Sequence, residues 1–227
     1  MSTPTTIAAD DAKTLYITDT SPFGARLRLV MAFTGQTVAE TPPPGGAGSD
    51  AMKAITHFGK MPAIDLGTRV LIESIALMEY LVETAGGSPL MPEDAESRAR
   101  VRGIMIAHDL HVLGAIWPLF LQIRTGKPDP AIVIPALKAG TTQYDVLTRL
   151  FDPTGDFALF GRPTLADLVI VPFAALFARV FPMFGEASPF TALPRLEGWW
   201  SAASDVPEIA KCVAVMDAAI VRAFFSK

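Results

Sequence analysis

The spacing of hydrophobic and polar positions changes along this chain, from a mixture of strand and helix periods to a purely helical one. Short apolar runs at Lys13–Thr18, Met61–Leu66 and Val70–Ile72 predict strands, and turn residues join the last two as a hairpin. Helical spacing predicts helices over Pro22–Thr34 and from Glu73 to just before Gly86. Residues 13–86 are therefore predicted to form a small α/β domain.

The pattern downstream of the Gly86–Pro92 linker predicts only helices. The predicted stretches are Ala95–Gln122 with a candidate bend at Pro118, Ile134–Phe151, Thr164–Phe181, Leu196–Ala203 and Glu208–Phe225. The longest apolar run, Leu168–Ala178, is shorter than the roughly 20 residues that span a bilayer. It predicts a core helix of a soluble, cytoplasmic protein. The expectation for residues 92–227 is an all-α domain.

Two segments are predicted to lack regular structure. Residues 1–12 are polar, lack the basic flank and apolar centre of a signal peptide, and are expected to form a loose tail. The Thr41–Ser49 stretch is rich in proline and glycine and is expected to form a mobile surface loop.

Composition excludes several classes of protein. Half of the residues are hydrophobic, which argues against disorder, and Cys212 alone cannot build a disulfide framework or a cysteine-rich zinc site. The net charge of −4, with acids and bases intermixed, argues against a nucleic-acid partner.

The start of the first predicted helix carries the first candidate for chemistry. Ser21 precedes Pro22, and a hydroxyl followed by proline at the first helical position marks a helix N-terminus. The free N–H groups and the helix dipole at such an end stabilise an anion or a sulfur nucleophile. Locally, however, Ser-Pro is also a common cap that needs no catalytic role.

Three motifs, in this order, resemble those of the soluble glutathione transferases. They are Ser21-Pro22-Phe23-Gly24-Ala25-Arg26-Leu27-Arg28, then Gly59-Lys60-Met61-Pro62 with Glu73-Ser74, and finally Gly161-Arg162-Pro163-Thr164-Leu165-Ala166-Asp167. The resemblance implies a thioredoxin-like N-terminal domain followed by an all-helical C-terminal domain. It also implies glutathione as cosubstrate, no metal, no membrane association and a homodimer.

The resemblance assigns roles to residues of the first two motifs. Ser21 would donate a hydrogen bond to the glutathione thiolate, with Thr20 and Thr18 as alternatives and Tyr16 as a more distant one. Pro62 would follow a cis bond and present the backbone of Met61 to glutathione. The Glu73–Ser74 helix start would receive the γ-glutamyl group. Phe23 and Lys60 would complete the glutathione site, with Lys53 and His57 as further candidates for the glycyl carboxylate.

The electrophile would bind against the long helix after the linker. The candidates there are His108, His111, Trp117, Phe120 and Arg124, although a core or dimer contact is an alternative role for each. His108 and His111 supply only two ligands at a helical i,i+3 spacing, so no metal site is expected.

The serine at position 21 narrows the expected reaction. The Ser-Pro-Phe-x-x-Arg string is most similar to omega-type members, in which a cysteine stands at this position, and a serine cannot form a mixed disulfide. The expected activity is therefore that of a detoxifying glutathione S-transferase, in which the thiolate attacks a hydrophobic electrophile. The alternatives are isomerisation, dehalogenation, ether cleavage, or a non-catalytic binding role on this scaffold.

The third motif is predicted to be structural. Thr164 and Asp167 have the spacing of a capping box, with Pro163 and Leu168 at the positions of a hydrophobic staple. Loss of this cap is expected to impair folding of the helical domain.

Overall fold

The computed structural model describes residues 13–125, 127–184 and 189–224. Contacts divide the chain into two compact units that meet between Ser88 and Pro89. The predicted tail at residues 1–12 lies outside the described residues.

The N-terminal unit is built on a four-stranded mixed sheet. Its strands are β1 (Thr14–Tyr16), β2 (Ala39–Thr41), β3 (Ala63–Asp65) and β4 (Val70–Ile72), in the order β2-β1-β3-β4. β2 runs parallel to β1, whereas β3 is antiparallel to both of its neighbours. The β3–β4 pairing of Ala63 with Ile72 confirms the predicted hairpin. Pairing from Thr14 to Tyr16 makes β1 shorter than the predicted strand.

The described residues of this unit also form the helices α1 (Pro22–Thr34), α2 (Asp50–Thr56) and α3 (Ser74–Thr84). Sequence analysis found the bounds of α1 but missed both β2 and α2. The prediction of an irregular stretch over Thr41–Ser49 was wrong only at Thr41, which ends β2, because residues 42–49 form neither helix nor strand. β2 is a three-residue edge strand that ends against three prolines, and α2 spans seven residues. Elements of this length carry too little periodicity to be recognised.

The C-terminal unit is helical, as predicted. Its helices are α4 (Ala95–Ala107), α5 (Gly114–Thr125), α6 (Pro130–Thr148), α7 (Leu165–Met183), α8 (Pro194–Ser204) and α9 (Pro207–Phe224). A π-helical segment, His108–Leu113, joins α4 to α5, and a short 3₁₀ turn, Pro189–Ala192, precedes α8. The long predicted helix therefore changes its hydrogen-bonding pattern before Pro118, which lies inside α5. The predicted end of the last helix at Phe225 lies outside the described residues.

Helix α7 forms the centre of the C-terminal unit, and it begins with the predicted capping box. Asp167 is fully buried, and its carboxylate accepts hydrogen bonds from the backbone N–H and the hydroxyl of Thr164 at 2.8 and 2.9 Å. The Trp199 indole N–H and the Ala158 backbone N–H also donate to this carboxylate, each at 2.8 Å. One side chain thereby ties the start of α7 to α8 and to the preceding loop. Burial raises the pKa of Asp167.

Two described helical stretches pass a length and composition test for membrane spans. They are Ala95–Gln122, with 28 residues, and Leu165–Met183, with 19. In the second, 72% of the apolar window is buried within the protein, which is the pattern of a core helix. Two such stretches are weak support for a membrane protein. The Leu165–Met183 helix is longer than the predicted apolar run Leu168–Ala178 because it continues past Asp167 and Arg179, which flank that run.

Candidate active site

Ser21 caps the N-terminus of α1. Its Oγ accepts a hydrogen bond from the Gly24 N–H at 3.1 Å, and the residue is only 8% exposed. A hydroxyl that accepts one hydrogen bond still holds its own proton and can donate it. The capping role and the role implied by the resemblance are therefore geometrically compatible.

The two alternative hydroxyls lie in the turn that precedes Ser21. The Thr18 and Thr20 Oγ1 atoms are 3.3 Å apart, and the Ser21 N–H donates to the Thr18 carbonyl at 3.1 Å. Each threonine hydroxyl thus has a neighbour within the turn, whereas the Ser21 hydroxyl lies at the helix end itself.

The Met61–Pro62 peptide bond is cis, as the resemblance implied. Met61 stands just before β3, whose ladder begins at Ala63. Within the described part of the chain, no hydrogen bond involves the Met61 backbone N–H or C=O. These two groups can pair with an extended peptide in the manner of an added strand.

The basic candidates near this bond are all exposed. Lys60 is exposed, and Lys53 pairs with Asp50 at 3.1 Å on the surface of α2. His57 caps the C-terminus of α2 with a φ of 60°. Their exposure leaves these cations accessible to a carboxylate from solution.

The start of α3 provides a second helix N-terminus. Glu73 is its N-cap residue, exposed, with a φ of 70° and a ψ of 114°, and within the described residues its side chain makes no capping hydrogen bond. The Ser74 hydroxyl is buried and accepts from the Arg26 guanidinium at 3.0 Å. Because it accepts from a cation, the Ser74 hydroxyl keeps its proton for donation toward an anion.

Arg26 is the principal site residue that sequence reasoning missed. Its side chain is fully buried, lies 5.0 Å from the centre of the Phe23 ring and links α1 to Ser74. A signal was present, because Arg26 shares one helical face with the apolar residues Leu29 and Val30. A charged residue on a buried face requires polar partners.

The candidates for the electrophile site differ in burial. His108 is fully buried, with its ring centre 5.5 Å from that of Phe173, and its Nδ1 lies 3.0 Å from the Asp109 carboxylate. Trp117 is 47% exposed and packs edge-on against the half-buried Phe120 at 5.9 Å. The side chain of Arg124 lies outside the described part of the chain.

His111 is exposed and lines an apolar pocket of about 280 Å³ in the helical unit. The other lining residues come from the end of α4, the π segment and the region of α6: Ala107, Val112, Gln143, Val146, Leu147 and Leu150.

The donors in the N-terminal unit fit glutathione. A tripeptide with a thiol, a γ-glutamyl end and a free backbone needs a donor at sulfur, paired N–H and C=O groups, and a helix N-terminus for its carboxylate. Ser21, Met61 and Ser74 supply these three features within one unit. Among the described residues, no group of three or more His, Cys, Asp or Glu side chains could hold a metal ion.

Comparison with known protein families identifies the N-terminal unit. Residues 15–89 match the family described as glutathione S-transferase, N-terminal domain. Among solved structures, glutathione transferase F7 from Populus trichocarpa superposes with a TM-score of 0.78 at 20% identity, covering 90% of this chain and 99% of that one. The chain thus has the glutathione transferase fold.

Two curated relatives differ in their stated activities. Maleylpyruvate isomerase from Ralstonia sp is 33% identical over 129 residues, which make up 54% of this chain and 61% of that protein. A probable glutathione S-transferase, GSTU1, from Oryza sativa subsp. indica is 27% identical over 208 residues, or 84% of each chain. The match to the isomerase therefore spans about three fifths of that relative's length.

Proposed function

We propose that this protein is a glutathione-dependent enzyme in which Ser21 stabilises the glutathione thiolate. The observation that carries the proposal is the Ser21 hydroxyl, which caps α1 with its lone pair and retains its proton at the helix N-terminus. When bound, glutathione supplies a sulfur nucleophile that adds reversibly to an electron-poor carbon. Free thiols have a pKa of about 8.5, so a neutral-pH enzyme gains from a donor and a helix dipole beside the sulfur.

The remaining donors are proposed to hold the tripeptide in place. The Met61 backbone pairs with its central residue, and the start of α3 receives the γ-glutamyl carboxylate through Ser74. Glu73 accepts from the glutathione ammonium group, and Phe23 and Lys60 border the site. Arg26 donates to Ser74 and so directs the Ser74 proton outward, toward the carboxylate.

Of the reactions open to such a thiolate, we favour cis–trans isomerisation of an unsaturated diacid over conjugation. The favouring observation is the 33% identity to maleylpyruvate isomerase, which exceeds the 27% identity to the plant transferase. Transfer of glutathione to a hydrophobic electrophile is the second candidate, supported by the longer alignment to that transferase. The exposed His111 and Trp117, together with the half-buried Phe120, would contact the second substrate, and the buried His108 would support this region.

The fate of glutathione separates the two reactions. An isomerisation returns glutathione unchanged, whereas a conjugation consumes one molecule for each product. The test supplies maleylpyruvate and, separately, an activated aryl halide, each with glutathione at one tenth of the substrate concentration, and follows both by NMR. Complete conversion of maleylpyruvate with glutathione recovered supports the isomerase. Conversion of only the aryl halide, halting when glutathione is exhausted, supports the transferase. Neither conversion, together with no retention on immobilised glutathione, would exclude the enzyme proposal.

We also propose a cytoplasmic homodimer. Exposed apolar side chains on the helical unit support self-association, among them Ile106, Leu110, Val146 and Leu150. A single cysteine is in keeping with a reducing compartment. Sedimentation of the purified protein would test the oligomeric state.

A further inference from the structure

Arg28 lies at the centre of an ion cluster beside the turn that carries Ser21. Its Nη2 donates to the Asp19 carboxylate at 2.7 Å, within the Thr18–Ser21 turn. Its Nε and Nη2 also donate to the Glu40 carboxylate on β2, at 3.0 and 2.6 Å. One guanidinium therefore ties together three separate segments: the turn, α1 and β2.

The position of Arg28 follows from helix geometry. It stands seven residues after Ser21, about two helical turns, so both residues lie on the same face of α1. That face is the side on which the turn and β2 meet α1. The Arg28 side chain is 21% exposed, whereas those of Asp19 and Glu40 are 52% and 34% exposed, so the two carboxylates remain partly open to solvent.

The Ser21 end of the turn is joined to α1 by hydrogen bonds from the Gly24 N–H to the Ser21 Oγ and from the Ala25 N–H to the Ser21 carbonyl. The Ser21–Thr18 backbone bond and the Thr18–Thr20 hydroxyl contact both lie within the turn. The Ile17 N–H to Thr41 carbonyl bond, at 3.1 Å, joins the start of the turn to β2, which lies at the edge of the described sheet beside β1. The Asp19–Arg28 contact joins the middle of the turn to α1.

Paired carboxylates hold this guanidinium in a defined geometry. Glu40 engages it through both oxygens, an arrangement that fixes direction as well as distance. The hydrogen bond to Glu40 is the largest of several effects that raise the pKa of Arg28.

We propose that Arg28 is a positioning residue for the thiolate donor, because it holds the Thr18–Ser21 turn against α1 and β2 through Asp19 and Glu40. This inference rests on the proposed function, in which Ser21 must sit at a fixed distance from the glutathione sulfur. Small displacements of a catalytic group cost substantial rate, so a loosened turn would weaken thiolate stabilisation without removing the Ser21 hydroxyl.

Three variants separate the two ion pairs of the cluster. Arg28→Met removes both pairs, Asp19→Asn weakens the pair with the turn, and Glu40→Gln weakens only the pair with β2. Arg149→Met is the matched control, because Arg149 makes a 2.6 Å ion pair with Asp145 on the exposed surface of α6. Arg28→Lys retains the positive charge but cannot donate two parallel hydrogen bonds to Glu40 as the guanidinium does.

The first readout is the pH profile of kcat/KM with glutathione. We expect Arg28→Met and Asp19→Asn to lower kcat/KM at neutral pH by roughly tenfold and to move the profile to higher pH. Glu40→Gln should have a smaller effect, Arg28→Lys should recover part of the activity, and Arg149→Met should match the wild type. A purely structural role would lower the yield of folded protein and leave the pH profile in place.

The second readout needs no glutathione. Amide hydrogen exchange at Ser21, whose N–H bonds to Thr18, reports the opening of the turn. Exchange about tenfold faster in Arg28→Met than in Arg149→Met is the expected result, and equal rates would overturn the inference. The two proposals can fail separately. If the wild-type protein does not stabilise a glutathione thiolate but Arg28→Met still speeds exchange at Ser21, the proposed function is overturned and the role of Arg28 in holding the turn stands.

Discussion

At the scale of single residues, the site combines features that do not favour folding on their own. Arg26 is a fully buried cation, and Glu73 is a non-glycine residue with a φ of 70°. Such backbone outliers cost on the order of 1–3 kcal/mol and cluster at functional sites. Both residues contact or adjoin Ser74 at the start of α3. The buried charge and the unfavourable backbone conformation therefore lie at the proposed γ-glutamyl site.

Replacing Glu73 should separate stability from binding. Glycine adopts a positive φ without a Cβ penalty, so Glu73→Gly is expected to keep or raise the free energy of unfolding, by up to about 1 kcal/mol. The same change removes the proposed acceptor of the glutathione ammonium group, and calorimetry should show a weaker glutathione Kd. Glu73→Gln, which retains the backbone constraint, should weaken binding with little change in stability. Lower stability with unchanged affinity in Glu73→Gly would contradict this interpretation.

Much of the residue-level picture was predictable, but some contacts were not. The Ser21 cap and the helix start at Ser74 follow from the local sequence, whereas the cis bond at Pro62 was implied by the family resemblance. The Arg26–Ser74 bond joins residues 48 positions apart, and the Arg28–Glu40 pair joins α1 to a strand that the sequence pattern did not indicate. Partners this distant are set by tertiary packing, which periodicity does not encode.

At the scale of elements, the bounds of α1 were predicted, whereas α6 runs over Pro130–Thr148 instead of the predicted Ile134–Phe151. Caps are local, so Pro22–Thr34 was found with its bounds. The π segment at His108–Leu113 was missed because its sequence continues the apolar spacing of its neighbours. The distance between two packed helices also depends on tertiary contacts, so the sequence pattern does not predict it.

Gly140 on α6 marks such a close approach. A Cβ added there would lie 2.6 Å from both the Ile116 and the Phe177 side chains. Gly140→Ala is therefore expected to lower the free energy of unfolding by about 1–3 kcal/mol in urea titrations. Gly103→Ala on α4 is the matched control, because its added Cβ meets open space, and it should be neutral or stabilising by up to about 1 kcal/mol. Equal effects of the two changes would show that α6 does not depend on this contact.

At the scale of the whole molecule, the chain carries a net charge of −4, and the stability of the folded protein in acid depends on particular carboxylates. The Arg100 side chain, which donates to Asp152 at 2.6 Å, and the Phe160 N–H both lower the pKa of Asp152 below its ordinary value of 3.8. A lowered pKa in the folded state adds stability above pH 3.8, and that stability is lost as the pH falls through the folded-state value.

Asp152→Asn should therefore flatten the acid side of the stability curve. The free energy of unfolding is expected to fall less steeply below about pH 4 than in the wild type, by a modest amount because Asp152 is partly exposed. Arg100→Met, which removes the main cause of the shift, should flatten the curve in the same way. Urea titrations at several acidic pH values measure this slope, and slopes equal to that of the wild type in both variants would refute the assignment.

The fold of both units could be predicted from the sequence, whereas the reaction could not. The motifs of the proposed glutathione site lie in residues 13–86, and residues 15–89 match the glutathione S-transferase N-terminal domain family. Choice of the second substrate depends on side chains of the helical unit such as His111 and Trp117, whose exposure follows from packing. A shared first step makes several reactions look alike in sequence.

The central claim is that the Ser21 hydroxyl stabilises the bound thiolate, and the pKa of bound glutathione tests it most directly. Ultraviolet thiolate absorbance across pH would be compared in the wild type, in Ser21→Ala and in Ser49→Ala. Ser49 is a fair control because it caps α2 through the Met52 N–H at 3.0 Å, so both changes remove a serine cap worth about 1 kcal/mol. We predict a bound-thiol pKa clearly below 8.5 in the wild type and Ser49→Ala, and a rise of about one unit or more in Ser21→Ala. An unchanged pKa in Ser21→Ala, with glutathione still bound, would contradict the account and leave Ser21 as a helix cap only.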